Sequence, residues 1–191
     1  MPIPLGILAA AGRSQAPAGA FQLLESTVLT GSQAAVEFTN LTSKYASTYQ
    51  HFQVRWTGRT NRAAANDRLY MTFNADSGNN VYTHQLFGNG SSVSSGAGWG
   101  TTDPKVLMES ALVGNSGTAS AFGAGVMDIL DPFETKNKTI RAFFGNQTTP
   151  RVELTSAVYL STSSLTSLSF TAIGSLVSGS RFSLYGIKAT A

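Results

Sequence analysis

His51-Phe52-Gln53-Val54-Arg55-Trp56-Thr57-Gly58-Arg59 is a stretch of alternating side chains, and its reading decides the fold. Phe52, Val54 and Trp56 fall on one face; His51, Gln53, Arg55, Thr57 and Arg59 fall on the other. A period of two belongs to a sheet with one packed side and one wet side. The pattern recurs along the chain between clusters of Gly, Asn, Ser and Asp, near the spacing of roughly 8–12 residues usual for sandwiches and barrels.

Upstream, Phe21 to Leu29 and Ala34 to Phe38 read as a first strand pair joined across Thr30-Gly31-Ser32. Ser43 to Gln50 is polar and has room for one helical turn. Downstream, Leu69, Met71 and Phe73 alternate, Asn74 to Asn80 is a dense turn signal, and Val81 to Phe87 follows as a strand. Val106 to Val113 and Ala121 to Leu130 flank the Gly114-Asn115-Ser116-Gly117 turn, and Asp131-Pro132-Phe133 ends the second of them. Ile140, Ala142 and Phe144 alternate; so do Val152, Leu154, Val158 and Leu160, with one register break. Leu168, Phe170 and Ala172, then Phe182 and Leu184, complete about nine to eleven strands. The predicted core is Phe38, Phe52, Val54, Trp56, Leu69, Met71, Phe73, Phe144, Leu154, Phe170, Phe182 and Leu184.

No window of about 11 residues holds a helical period, which argues against a parallel α/β fold. The fold class expected is all-β: an antiparallel two-sheet sandwich of jelly-roll type over residues 21–191, preceded by an extended N-terminal arm over residues 1–20.

The totals set limits. A chain of 191 residues is one domain, and it has no Cys for a disulfide or a thiolate metal site. Charged residues are 12% of the chain, about half the usual share. Such a lightly charged surface suits a protein whose faces other subunits cover. A net charge of +3 drawn from few ionisable groups does not make the concentrated basic patch that nucleic acid requires. No stretch approaches the ~18 apolar residues of a membrane span. Ile3 to Ala11 has the look of a short signal-peptide core, but no Lys or Arg precedes it and Pro2 and Pro4 interrupt its start.

Two segments stand apart as candidate contacts. Residues 1–20 are rich in Ala, Gly and Pro, yet Ile3, Leu5, Ile7 and Leu8 are too apolar for a solvated tail. They read as an arm that docks on another polypeptide. Gly88 to Asp103 reads as a long loop whose one large side chain, Trp99, either caps the sandwich or anchors a partner. Arg55 and Arg59 share the outward side of their strand, with Arg62 and Arg68 nearby. They either pair with Glu37 or Glu153 across the sheet or form a contact patch.

Chemistry is sparse. The two His, at 51 and 84, have no activated Ser and buried carboxylate framed by a GxSxG elbow. Asp76 among Asn74, Ser77, Asn79 and Asn80 looks like a calcium loop, but one carboxylate among amides better suits an Asx-turn. Asp128, Asp131 and Glu134 read as solvated charges at a strand end. Neither a catalytic set, a metal nor a cofactor is expected.

Taken together, "MPIPLGILAAAG", "FQLLESTVL", "HFQVRWTGRT", "RLYMTFNADSGNNVYTHQLFGNGSSVSSG", "FGAGVMDILD" and "GSRFSLYGIKA" resemble small virion structural proteins of tailed bacteriophages, especially cyanophages. The resemblance spans nearly the whole chain and contains no catalytic motif. It implies a jelly-roll sandwich that trimerises, assembled in the host cytoplasm into the virion. There it sits either on the shell as a capsid decoration or cement protein bound to the major capsid protein, or on the tail, baseplate or fibre as a glycan-binding appendage.

Overall fold

Alternation along the chain carries directly into space. The computed structural model describes residues 19–97, 103–148 and 150–188. Its elements run β1 (Phe21–Val28), β2 (Gln33–Thr39), α1 (Leu41–Tyr45), β3 (His51–Gly58), β4 (Asn66–Phe73), β5 (Val81–Gly88), β6 (Val93–Ala97), β7 (Val106–Val113), β8 (Gly123–Leu130), β9 (Lys138–Asn146), β10 (Arg151–Tyr159), β11 (Ser167–Leu176) and β12 (Arg181–Ile187). Two antiparallel sheets stack as a sandwich, a large one ordered β1-β12-β3-β8-β9-β10-β5-β6 and a small one ordered β2-β11-β4-β7.

In β3 the expected alternation is met. Phe52, Val54 and Trp56 are buried, while Arg55 and Thr57 are exposed. The predicted core lies in one cluster between the sheets, Leu154 excepted. Phe170 meets Phe38 edge-on at 6.1 Å and Phe182 at 5.4 Å, so both sheets contribute rings to one layer. Trp56 lies opposite Gly125 of β8, where any Cβ would run into the indole. The glycine is what makes room for the largest side chain of the core.

Two expectations are corrected. The segments around Thr30-Gly31-Ser32 do not pair with each other. β1 joins β12 in the large sheet and β2 joins β11 in the small one. Leu29 and Val36 therefore enter the same core from opposite sheets. A period of two shows which face is buried but not which neighbour a strand pairs with, so the crossing was hidden. The second correction concerns the long loop after Gly88, of which Val93–Ala97 is an edge strand on β5. With Val93 to Ser95 exposed, no face is buried and no period is imposed. The signal present was Asn89-Gly90, a hairpin dipeptide. Gly90 has φ +90°, and the Asn89 side-chain oxygen accepts the N–H groups of Ser91 and Ser92 at 3.1 and 2.9 Å.

The β8–β9 turn hangs on Asp131. Its carboxylate meets Lys136 Nζ at 2.5 Å and Gln50 Nε2 at 3.3 Å, and its N–H donates to His51 Nδ1 at 3.0 Å. The hydrogen bond from Lys136 is the main cause that holds this carboxyl below its ordinary 3.8. A carboxyl whose folded pKa is depressed stabilises the fold above the unfolded value and loses that contribution as pH falls through the folded one. Asp131→Asn should therefore flatten the acid limb of a stability–pH curve, measured by urea unfolding. The difference near neutral pH should be about 0.2–1 kcal/mol, since Lys136 is largely solvated.

Candidate functional site

The unusual region is the outer face of the large sheet where β8, β9, β10 and β5 lie side by side. Val126, Phe143, Leu154 and Leu86 are successive cross-strand partners in one row. Ala124, Gly145, Val152, Gly88 and Val93 form the next row. All of them stand on the side turned away from the small sheet. Phe143 is 54% exposed, Val152 53%, Leu154 and Leu86 48% each, and Val93 74%. One or two exposed apolar residues need no explanation, but a contiguous two-row patch marks a surface that something covers.

Burial of Leu154 was expected, and the structure reverses it. β10 turns Glu153, Thr155, Ala157 and Tyr159 inward instead. Its register is fixed at the far end, where the Tyr159 ring stacks on Phe73 at 4.6 Å and its hydroxyl donates to Asp76 Oδ2 at 2.8 Å. At the near end Glu153 is tolerated inside because Arg151 meets it with Nη2 at 2.7 Å and Nε at 2.8 Å. The Arg151 guanidinium in turn lies 3.7 Å from the centre of the Phe87 ring. Burial pushes the Glu153 carboxyl above its ordinary 4.5, against the pull of Arg151. Glu153 and Thr155 are thus satisfied inside, while Val152 and Leu154 are presented outside.

A groove crosses the patch at the end where β8 starts and β9 ends. Its two adjoining halves enclose about 460 and 330 Å³ and share Ala124, Gly145 and Val152. Phe143 and Val126 line one side, and Phe122 and Pro150 lie toward the other. Arg151, already paired with Glu153, is the one charged residue along it among the described residues.

The residues singled out from the sequence fare differently. Arg55 is exposed beside Val126, with Nε on Gln53 Oε1 at 2.9 Å. Its guanidinium lies 5.2 and 5.1 Å from the rings of Phe21 and Tyr185, which stack at 4.8 Å. It stands at the rim of the apolar patch. Arg59 lies past the end of β3, and its two terminal nitrogens donate to the carbonyls of Asn115, Gly117, Thr118 and Ala121 at 2.7–3.3 Å. It ties down the β7–β8 turn. The expected pairing with Glu37 or Glu153 does not form: Glu37 accepts from Ser169, Arg62 pairs with Asp67, and Arg68 with Glu109. Carboxylates of β4 and β7 take up Arg62 and Arg68, and turn carbonyls take up Arg59. Ile3, Leu5, Ile7, Leu8 and Trp99 lie outside the described residues.

The Asp76 loop is an Asx-turn. Its carboxylate accepts the Gly78 N–H at 2.7 Å and Asn80 Nδ2 at 3.0 Å, besides the Tyr159 hydroxyl. Asp128 accepts from Gln53 Nε2 at 2.8 Å, apart from the Asp131 cluster. Among the described residues no group of three His, Asp or Glu converges as a metal site would require. What the arrangement offers is apolar contact area.

No family model and no curated protein matches the chain. Among solved structures, a functionally unknown protein from Saccharomyces cerevisiae is similar at 9% identity over 83% of this chain and 86% of that one. Its TM-score of 0.20 carries no argument about either fold or function.

Proposed function

We propose that this chain is a non-enzymatic structural protein of a tailed-bacteriophage virion, a capsid decoration or cement protein that binds the major capsid protein shell as an oligomer, in the expected case a homotrimer. The observation that carries the reading is the outward apolar face of β8, β9, β10 and β5. A side chain such as Phe143 left 54% exposed suits permanent docking better than a solvated life. The sparse charge of the chain points the same way, and the resemblance of its segments supplies the kind of particle.

Strand order supports the jelly-roll part of the reading. The runs β1-β12-β3-β8 and β2-β11-β4-β7 face each other as two four-stranded halves, and the hairpins β5–β6 and β9–β10 extend the first of them. The apolar patch lies largely on the outer side of that extension, whose inner side carries Ile140, Ala142, Phe144, Ala157 and Tyr159 into the core.

The test is quantitative mass spectrometry of purified particles of the phage that encodes the chain. A copy number comparable to that of the major capsid protein is the expected result. A copy number matching the tail proteins would move the protein to the tail, and absence from the particle would end the proposal.

A further inference from the structure

The groove accepts a narrow class of occupant. Ala124, Gly145 and Gly88 give it a floor without long side chains, Phe143 and Val152 rise beside it, and its one charge among the described residues is already neutralised. An uncharged, apolar, extended peptide fits this description. Residues 1–18 contain one: Ile3, Leu5, Ile7 and Leu8 are apolar, Arg13 is the sole charged side chain, and Pro2, Pro4 and Gly6 disfavour a helix.

Topology decides whose segment it is. β1 begins with Phe21 opposite Ile187, which in turn lies opposite His51, at the end of the sheet away from the groove. The groove lies at the other end, in the row of Ala124, Gly145, Val152 and Gly88. β1 runs toward that end, so the chain before it leaves in the opposite direction. The Lys188 N–H donates to the Ala20 carbonyl at 2.8 Å and fixes that exit. To reach its own groove the segment would reverse, cross from β1 to β9 and return along the strands, a diagonal of ~28 Å at ~4.8 Å per strand and ~3.3 Å per residue. The residues between 8 and 19 span at most ~36 Å when fully extended, which leaves little slack for the reversal. A neighbouring copy beyond the exit needs no reversal.

We propose that residues 2–8 of one copy lie in the outer-face groove of a neighbouring copy, linking subunits arm to groove. This deepens the assembly reading above, and its test uses purified protein alone, so that its failure and the failure of virion attachment are separate results.

Two kinds of full-length variant are required. Leu5→Asp with Ile7→Asp spoils the arm; Phe143→Asp, or independently Val152→Asp, spoils the groove. Both groove positions are about half exposed, so folding should be retained, which circular dichroism checks. In sedimentation the unaltered protein should associate, and each variant alone should do so at least ~30-fold more weakly, the loss expected of an interface hot spot. Mixed one to one, an arm variant and a groove variant should pair, because the intact arm of one meets the intact groove of the other. A monomeric unaltered protein, undiminished association of either variant alone, or a mixture that does not pair would overturn the proposal.

Discussion

Trp56→Ala is expected to destabilise the sandwich by about 3–5 kcal/mol, read as a drop in the urea midpoint with an unchanged slope. The indole is 2% exposed, lies over Gly125 and beside Phe144 at 6.1 Å, and its Nε1–H reaches the Ala111 carbonyl at 3.4 Å. Truncation removes the transfer energy and leaves a cavity that Gly125 has no side chain to fill. Ladder bonds to β12 and β8 on either side keep β3 from closing the gap. One position back on the same strand, Arg55→Ala lies on the wet face and should change stability by no more than about 0.5 kcal/mol. Equal losses at the two positions would mean that β3 is not two-faced.

Arg151→Ala is expected to cost about 3–5 kcal/mol for a different reason, the stranding of a buried carboxylate. The Glu153 side chain is 0% exposed, and Arg151 is the cation that meets it. Burial already lifts the Glu153 carboxyl above its ordinary 4.5, and removal of the guanidinium lifts it further. A group whose folded pKa is raised gives its full stability below the unfolded value and loses it as pH rises through the folded one. The deficit of Arg151→Ala should therefore shrink on acidification toward pH 4.5 and widen on return to neutrality, in paired urea melts. Replacing both partners, Arg151→Met with Glu153→Leu, should be close to neutral, because no charge is then left buried.

Much of the fold was legible in the sequence because burial on one face imposes a period of two. Phe52, Val54 and Trp56, then Leu69, Met71 and Phe73, then Phe182 and Leu184 all lie in the core where alternation put them. Alternation was silent where neither face is buried, as at Val93 to Ser95, and where pairing rather than facing was the question, as with β1 and β2. It misled at β10, where Val152 and Leu154 alternate as a buried pair would, but Ala157 and Tyr159 hold the opposite face inward.

The candidate site was harder to read, since an outward apolar row looks the same in sequence as an inward one. One signal was present. Leu86-Phe87 and Phe143-Phe144 are adjacent apolar pairs within strands, and successive strand side chains face opposite ways, so one member of each pair had to point away from the core. Leu86 and Phe143 are those members. The role of Arg59 had no such signal, because its partners are backbone carbonyls of a turn distant in sequence.

Cryo-electron microscopy of the intact particle tests the central claim, that the outer face of the large sheet is the contact face of a virion structural protein. The expected result is density for the sandwich in repeated copies on the shell, with Phe143, Leu154 and Leu86 covered by another polypeptide. A particle that lacks this density, or that carries it with those three side chains open to solvent, would contradict the claim.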